Sequence, residues 1–94
     1  MFSGGTYEEV ARWLWNFLTS HAKREDVRAE VAVESGDERQ GRSYAARVRL
    51  RDRVTPPIEF PFEEVAANRG SLAWCADLAA RVREVVRGLA SAAA

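Results

Sequence analysis

The chain has 94 residues, 47% of them hydrophobic, and its 14 basic and 14 acidic residues leave no formal net charge. This length fits one domain, and the composition is typical of a globular rather than a disordered chain. A net charge of zero excludes a global field that would attract nucleic acid, an anionic membrane or an acidic substrate, and it weakens repulsion between copies.

The first predicted helix begins after Thr6, because Thr6 and Glu9 have the spacing of a capping box. It is expected to cover residues 7–23. At 100° per residue its apolar side is made up of Tyr7, Val10, Leu14, Phe17, Leu18 and His21.

Two tryptophans fall outside the centre of that apolar side. Trp13 lies at one flank, where it can pack against the sheet or the last helix, while Trp15 lies about 120° from the centre. Two readings of Trp15 stay open. Either it packs against the last helix or the sheet edge, or it is exposed in the monomer and anchors a partner.

Three strands follow the first helix. Residues 27–34 and 44–51 alternate between apolar and polar side chains, and the polar loop 35–43 between them predicts an antiparallel hairpin. Val31 and Val48 belong to the predicted inward faces. Residues 58–63 alternate in the same way, and Pro61 places this third strand at an edge because proline cannot donate to the ladder.

The last predicted helix covers residues 72–89, with Ser71 as its N-cap and Gly88 close to its end. Residues 64–70 form a connector that has room for one helical turn. The apolar side of the last helix consists of Leu72, Cys75, Leu78, Ala79, Val82, Val85, Val86 and Leu89.

The element order α-β-β-β-α predicts an α+β fold in a single domain over residues 1–94. Because the apolar side of each helix needs cover, we expect a two-layer sandwich: an antiparallel three-stranded sheet with both helices on one face. Residues 1–5 and 90–94 are expected to fray.

The other face of the sheet is predicted to be wet and electrically balanced. Its four arginines and four glutamates are expected to pair across strands, which leaves little charge to bind phosphate. These residues are Arg28, Arg47, Arg49, Arg51, Glu30, Glu34, Glu59 and Glu63.

The order of elements over residues 6–89 is similar to that of the double-stranded-RNA-binding domain. That family typically carries a glycine-proline-x-histidine loop and a lysine cluster before its last helix, whereas this chain has Gly36-Asp37-Glu38 and Asn68-Arg69-Gly70 there. No functional residue of the family is therefore carried over. RNA binding is the alternative function, through basic residues predicted to be unpaired, namely Arg39, Arg42 and Arg69.

Catalysis is not expected. His21 and Cys75 fall on inward helix faces and could approach as a base and a thiol, but a buried cysteine is commonly a small hydrophobe, and a histidine near a helix C-terminus interacts with the dipole. One histidine and one cysteine do not complete a zinc set, and no glycine-rich phosphate loop is present. We expect no metal and no cofactor.

The preferred hypothesis is a protein–protein interaction or homodimerisation module that uses Trp13, Trp15 and Trp74. A cytoplasmic location is expected because Cys75 is the only cysteine, the N-terminal sequence lacks the pattern of a secretory signal, and the apolar runs are too short to cross a bilayer. No membrane partner is expected.

Overall fold

A computed structural model describes residues 5–92, so positions 1–4, 93 and 94 of the ends expected to fray lie outside the described residues. The loop between the first two strands contains a 3₁₀ turn, Asp37–Arg39. In chain order the elements are α1 (Tyr7–Glu25), β1 (Glu30–Glu34), β2 (Ser43–Leu50), β3 (Arg53–Val54), β4 (Ile58–Pro61), α2 (Phe62–Asn68) and α3 (Leu72–Ala92).

The capping box at the start of α1 is confirmed. The backbone N–H of Glu9 donates to Oγ1 of Thr6 at 3.1 Å, and the backbone N–H of Thr6 donates to Oε1 of Glu9 at 3.0 Å. Both bonds satisfy donors that a helix start leaves unpaired. The helix continues two residues past the predicted end at Lys23.

β2 lies at the centre of the sheet. It pairs antiparallel with β1, where Val31 stands opposite Val48, and on its other side with β4, where Tyr44 stands opposite Phe60. The two-residue strand β3, which the sequence pattern did not predict, folds back on the end of β2.

The core lies between the sheet and the two long helices. Leu18 of α1 and Leu78 of α3 line the same apolar cleft as Val48 of β2, which places both helices over one face of the sheet. The predicted two-layer α+β sandwich is therefore confirmed. The buried core side chains include Val10, Leu14, Leu18, Val31, Tyr44, Val48, Leu50, Phe60, Val65, Leu78, Val82 and Val86.

The first strand starts later than predicted because a turn occupies residues 26–29. The Asp26 carboxylate accepts the backbone N–H of Arg28 at 2.9 Å, and the Asp26 carbonyl accepts the N–H of Ala29 at 2.9 Å. A side chain that bonds the backbone two residues on stabilises a turn. Val27 is left 78% exposed instead of facing the core.

The third predicted strand was also too long. β4 ends at Pro61, which precedes the first turn of α2, so Phe62 and Glu63 are helical rather than extended. Acidic side chains in a first turn interact favourably with the helix dipole, and Glu63 and Glu64 occupy that position. The connector predicted over 64–70 is thus mostly helix.

The edge position of β4 is confirmed, since it pairs with β2 alone. The N–H of Phe62 donates to the carbonyl of Arg42, so residues 58 and 60 direct their backbone groups toward β2 and residues 57, 59 and 61 direct theirs outward. Pro57 and Pro61 have no N–H to offer. Glu59 is left with the one outward donor of that stretch.

In α3, the prediction of an end near Gly88 was wrong, because the helix continues to Ala92. Ser71 is the predicted N-cap, and its Oγ accepts the N–H of Trp74 at 3.2 Å. Leu72 was predicted on the apolar side of this helix but does not belong to it. It is 90% exposed at the first turn, before the helix reaches the sheet.

The outer sheet face differs from the predicted one in which charges it holds. Arg28 and Arg51 lie in turns and Glu63 in α2, while Arg47 pairs with Glu34 at 3.2 Å as predicted. Ala45 stands between Glu34 and Glu59 in the register and is fully buried, so the centre of this face is not wet.

Candidate functional site

A row of aromatic rings follows one side of α1. Trp13, Phe17 and His21 are spaced one turn apart. The ring centroids of Trp13 and Phe17 lie 5.1 Å apart, and those of Phe17 and His21 lie 4.5 Å apart. Trp74 of α3 extends the row, with its ring 6.4 Å from that of Trp13. All four side chains are only partly buried. We call these four residues the aromatic seam.

Trp74 is held in place from two sides. Its indole N–H donates to the Glu64 carboxylate of α2 at 3.1 Å, and its backbone N–H donates to Ser71. A rigid aromatic side chain loses little conformational entropy when it is bound by a partner. The α2 helix therefore fixes Trp74 against Trp13.

The seam is uncharged near neutral pH. Burial lowers the pKa of His21 below 6.5, and the nearby guanidinium groups of Arg24 and Arg83 lower it further. A neutral imidazole continues the apolar surface of Phe17, on which it packs.

Trp15 lies on a different flank of α1, apart from the seam. Its indole N–H donates to the carbonyl of Val31 at 2.8 Å, and its side chain is 44% exposed. Val31 stands in β1, so Trp15 packs against the sheet edge. The structure thus brings together Trp13 and Trp74, two of the three predicted interface residues, and places Trp15 elsewhere.

Phe17 and His21 are additions to the predicted interface. Both belong to the predicted apolar side of the first helix. The signal that identifies them is the spacing of Trp13, Phe17 and His21 by four residues each, which stacks side chains in one row on a helix.

The residues predicted for RNA contact are not three unpaired cations. Arg39 binds the Glu59 carboxylate with N–O distances of 2.9 and 3.2 Å and donates to Oγ of Ser43 at 3.0 Å, which leaves its side chain 18% exposed. The 3₁₀ turn carries Arg39 back onto β4, and for this reason the prediction that it is unpaired was wrong.

Arg69 also has a packed environment. Its guanidinium lies beside Gly5, so close that a Cβ at Gly5 would stand 2.6 Å from Nη2, and its carbonyl accepts the thiol of Cys75 at 3.6 Å. The prediction that Arg69 is unpaired was wrong as well. Arg42 is exposed, and in the described part of the chain it makes no ion pair.

His21 and Cys75 do not form a catalytic pair in this structure. The His21 ring packs on Phe17, whereas the Cys75 thiol contacts the carbonyl of Arg69. Burial raises the pKa of Cys75, the opposite of what an activated thiolate needs.

Residues 5–92 also bear on metal binding and on the crossing of a membrane. Within that range no group of three or more histidine, cysteine, aspartate or glutamate side chains is placed to hold a metal ion. None of the helices described there is long and apolar enough to cross a membrane.

No family model, curated protein or solved structure matches this chain.

Proposed function

We propose that this protein is a non-catalytic, cytoplasmic protein–protein interaction module that binds its partner through the aromatic seam. A homodimer is the first form of that association to test. The observation that supports the proposal is the contact between Trp13 and Trp74, which joins two partly exposed tryptophans from different helices into one surface.

Tryptophan favours this role for a physical reason. A large ring that is already held in place buries much apolar area on binding at a small entropic cost, and tryptophan is enriched among the residues that dominate binding energy. The neutral imidazole of His21 removes the cost of desolvating a charge at one end of the seam.

The closure of the sheet edges also supports a helical surface. The Trp15 indole occupies the Val31 carbonyl at the β1 edge, and Pro57 and Pro61 remove donors from the β4 edge. A partner strand would find one acceptor already bonded at the β1 edge and two donors missing at the β4 edge.

The test is light scattering after size-exclusion chromatography, over a range of concentrations and in high salt. Trp13→Ala and Trp74→Ala are expected to weaken association about tenfold or more, as loss of a hot-spot tryptophan does. Trp15→Ala is the matched control and should not weaken association, because Trp15 lies outside the aromatic seam.

Fluorescence quenching by a neutral quencher reports the same surface directly. Association should protect Trp13 and Trp74 from the quencher and leave the protection of Trp15 as it is in the monomer. If the Trp13→Ala and Trp74→Ala variants associate like the wild type at every concentration, the proposal is wrong.

A further inference from the structure

The charges of this chain are sorted along the direction of its two long helices. At one end Tyr7 of α1 donates a hydrogen bond to the carbonyl of Ser43 in β2, and at the other Arg87 of α3 binds Glu25 of α1 at 3.0 Å. Because Trp74 near the start of α3 also packs on Trp13 of α1, the two long helices run parallel, and the molecule measures 44 × 30 × 16 Å.

The two ends carry opposite net charges although the whole chain is neutral. We define the basic end as residues 23–30, 49–54 and 83–91, which hold eight basic and five acidic side chains. The acidic end, residues 5–12, 34–47 and 59–77, holds nine acidic and five basic side chains.

Helix dipoles reduce this separation without cancelling it. Each helix terminus is equivalent to about half an elementary charge, and α1 and α3 both begin at the acidic end. Together they offset about one charge at each end. The excess of three positive and four negative side chains is larger than that.

Part of the basic end is already paired internally. Arg28 binds Asp26 at 3.0 Å, and Arg83 and Arg87 both bind Glu25. The exposed cations of the basic end that make no ion pair within residues 5–92 are Lys23, Arg24, Arg49, Arg51 and Arg53. Of these, Lys23 and Arg49 donate to the backbone carbonyls of Val27 and Arg51.

The acidic end shows the same division. Glu34 and Glu59 bind Arg47 and Arg39. In the part of the chain that the structure describes, the exposed acids without an ion pair include Glu8, Asp37, Glu38 and Glu63.

The tip of the basic end holds its charge in a costly backbone conformation. Arg51 has a φ of 60° in the two-residue turn between β2 and β3, a conformation that favours glycine. An arginine there keeps an exposed cation in the turn, where glycine would relieve the backbone.

We propose that the basic end of one molecule binds the acidic end of a second copy, so that the protein associates head to tail. Each end carries the charge that the other attracts, and the neutral chain has no net repulsion between copies. Because the two surfaces differ, the contact leaves a free end on each molecule and generates rings or filaments. The acidic end shares only Trp74 with the aromatic seam and the basic end shares no residue with it, so the inference goes beyond the proposed function.

The first test compares the mean mass by light scattering in about 20 mM and about 0.5 M NaCl, since a short Debye length at high salt screens exposed charges. We expect the mass to grow with protein concentration at low salt and to fall at high salt. An aromatic contact persists at high salt, so Trp13→Ala and Trp74→Ala separate the two proposals.

The second test uses two end variants. Arg51→Glu with Arg53→Glu removes the basic end, and Glu38→Arg with Glu63→Arg neutralises the acidic end. Each variant alone should lose about tenfold or more in association, as expected when several exposed attractions are replaced by repulsions. Mixed together, they should form a one-to-one pair that does not grow, because one intact end of each kind remains.

Arg81→Glu is the matched control for Arg51→Glu. Arg81 lies over the Phe60 ring in the body of the molecule, and its reversal makes the same change in net charge as Arg51→Glu alone. It should leave association intact. A mass that is independent of salt, an end variant that grows like the wild type, or a mixture that fails to pair would each overturn the proposal. So would growth that depends on added RNA, which would identify nucleic acid as the ligand of the basic end.

Discussion

Single residues occupy or remove hydrogen-bonding groups at both edges of this small sheet. The Trp15 indole bonds the outward carbonyl of Val31, and prolines stand at two of the outward positions beside β4. Exposed strand edges promote pairing with other chains. Trp15 therefore serves the fold by capping one edge, which accounts for an aromatic residue that neither the core nor the seam uses.

Trp15→Phe tests this role. The aromatic ring is kept while the N–H donor is lost. We therefore expect the free energy of unfolding to fall by about 0.5 to 1.5 kcal/mol, the net contribution of one hydrogen bond. Urea unfolding measures this as a lower midpoint with an unchanged m-value. Trp13→Phe is the control for ring size, since Trp13 makes stacking contacts. An unchanged midpoint for Trp15→Phe would show that the hydrogen bond to Val31 does not stabilise the fold.

His21 gives the fold a pH dependence of defined sign. Its pKa is lowered in the folded state by burial and by Arg24 and Arg83, so the unfolded chain takes up this proton more readily. The stability is fully present above pH 6.5 and falls as the pH drops from 6.5 toward the lower folded pKa. The same histidine forms one end of the aromatic seam.

We expect His21→Gln to abolish that part of the slope, and an NMR titration of the folded wild type to place the imidazole pKa below 6.5. Urea unfolding of both proteins at a series of pH values provides the comparison. Parallel curves for wild type and variant, or a folded pKa above 6.5, would contradict the argument.

At the scale of elements, the sequence pattern predicted the features that are determined by residues close together in the chain. The capping box and the apolar side of α1, the paired valines of β1 and β2, and Ser71 before α3 follow from spacing alone. The end of β4 did not, because alternation continues through Phe62 while the backbone turns into α2. Alternation with a period of two indicates which side of the chain a residue faces, and it does not require an extended backbone. Phe62 accordingly packs on Tyr7 and Tyr44 although it lies in a helix.

The candidate site shows the same division. Trp13 was expected at the flank facing the last helix or the sheet, and it meets Trp74. The pairing of Arg39 with Glu59 spans 20 residues and depends on the path of the loop, which no local pattern encodes. The hydrogen bond of Trp15 depends on which backbone groups of β1 point outward, and that is decided by the register of the sheet.

The start of α1 offers a test of an element's own stability. Thr6→Ala removes the side-chain acceptor of the capping box, and we expect a cost of about 1 kcal/mol, against only a few tenths for Thr6→Gly. Thr19→Val is the internal control. Its Oγ1 is buried without a hydrogen-bond partner in the described structure, so losing the hydroxyl should be neutral or stabilising. Equal losses for Thr6→Ala and Thr19→Val would mean that capping is not what stabilises this helix.

For the whole molecule, the question is whether the core or the charged face carries stability. A fully buried side chain such as Leu14 loses its transfer free energy and leaves a cavity when truncated. The Glu34–Arg47 pair on the outer face keeps 48% and 41% of its side chains exposed, and water screens its attraction. A protein of this size has a small total stability, so these contributions differ in consequence.

We therefore expect Leu14→Ala to lower the free energy of unfolding by about 2 to 5 kcal/mol, a large part of the total. A double-mutant cycle on Glu34→Ala and Arg47→Ala should give a coupling of no more than about 1 kcal/mol. Both are measured by urea unfolding at high salt, which screens head-to-tail contacts, so that the unfolding free energies refer to the monomer. A coupling as large as the effect of Leu14→Ala would show that the ion pairs over Ala45 stabilise the fold as a second layer, and the sheet would then have two stabilising faces instead of one.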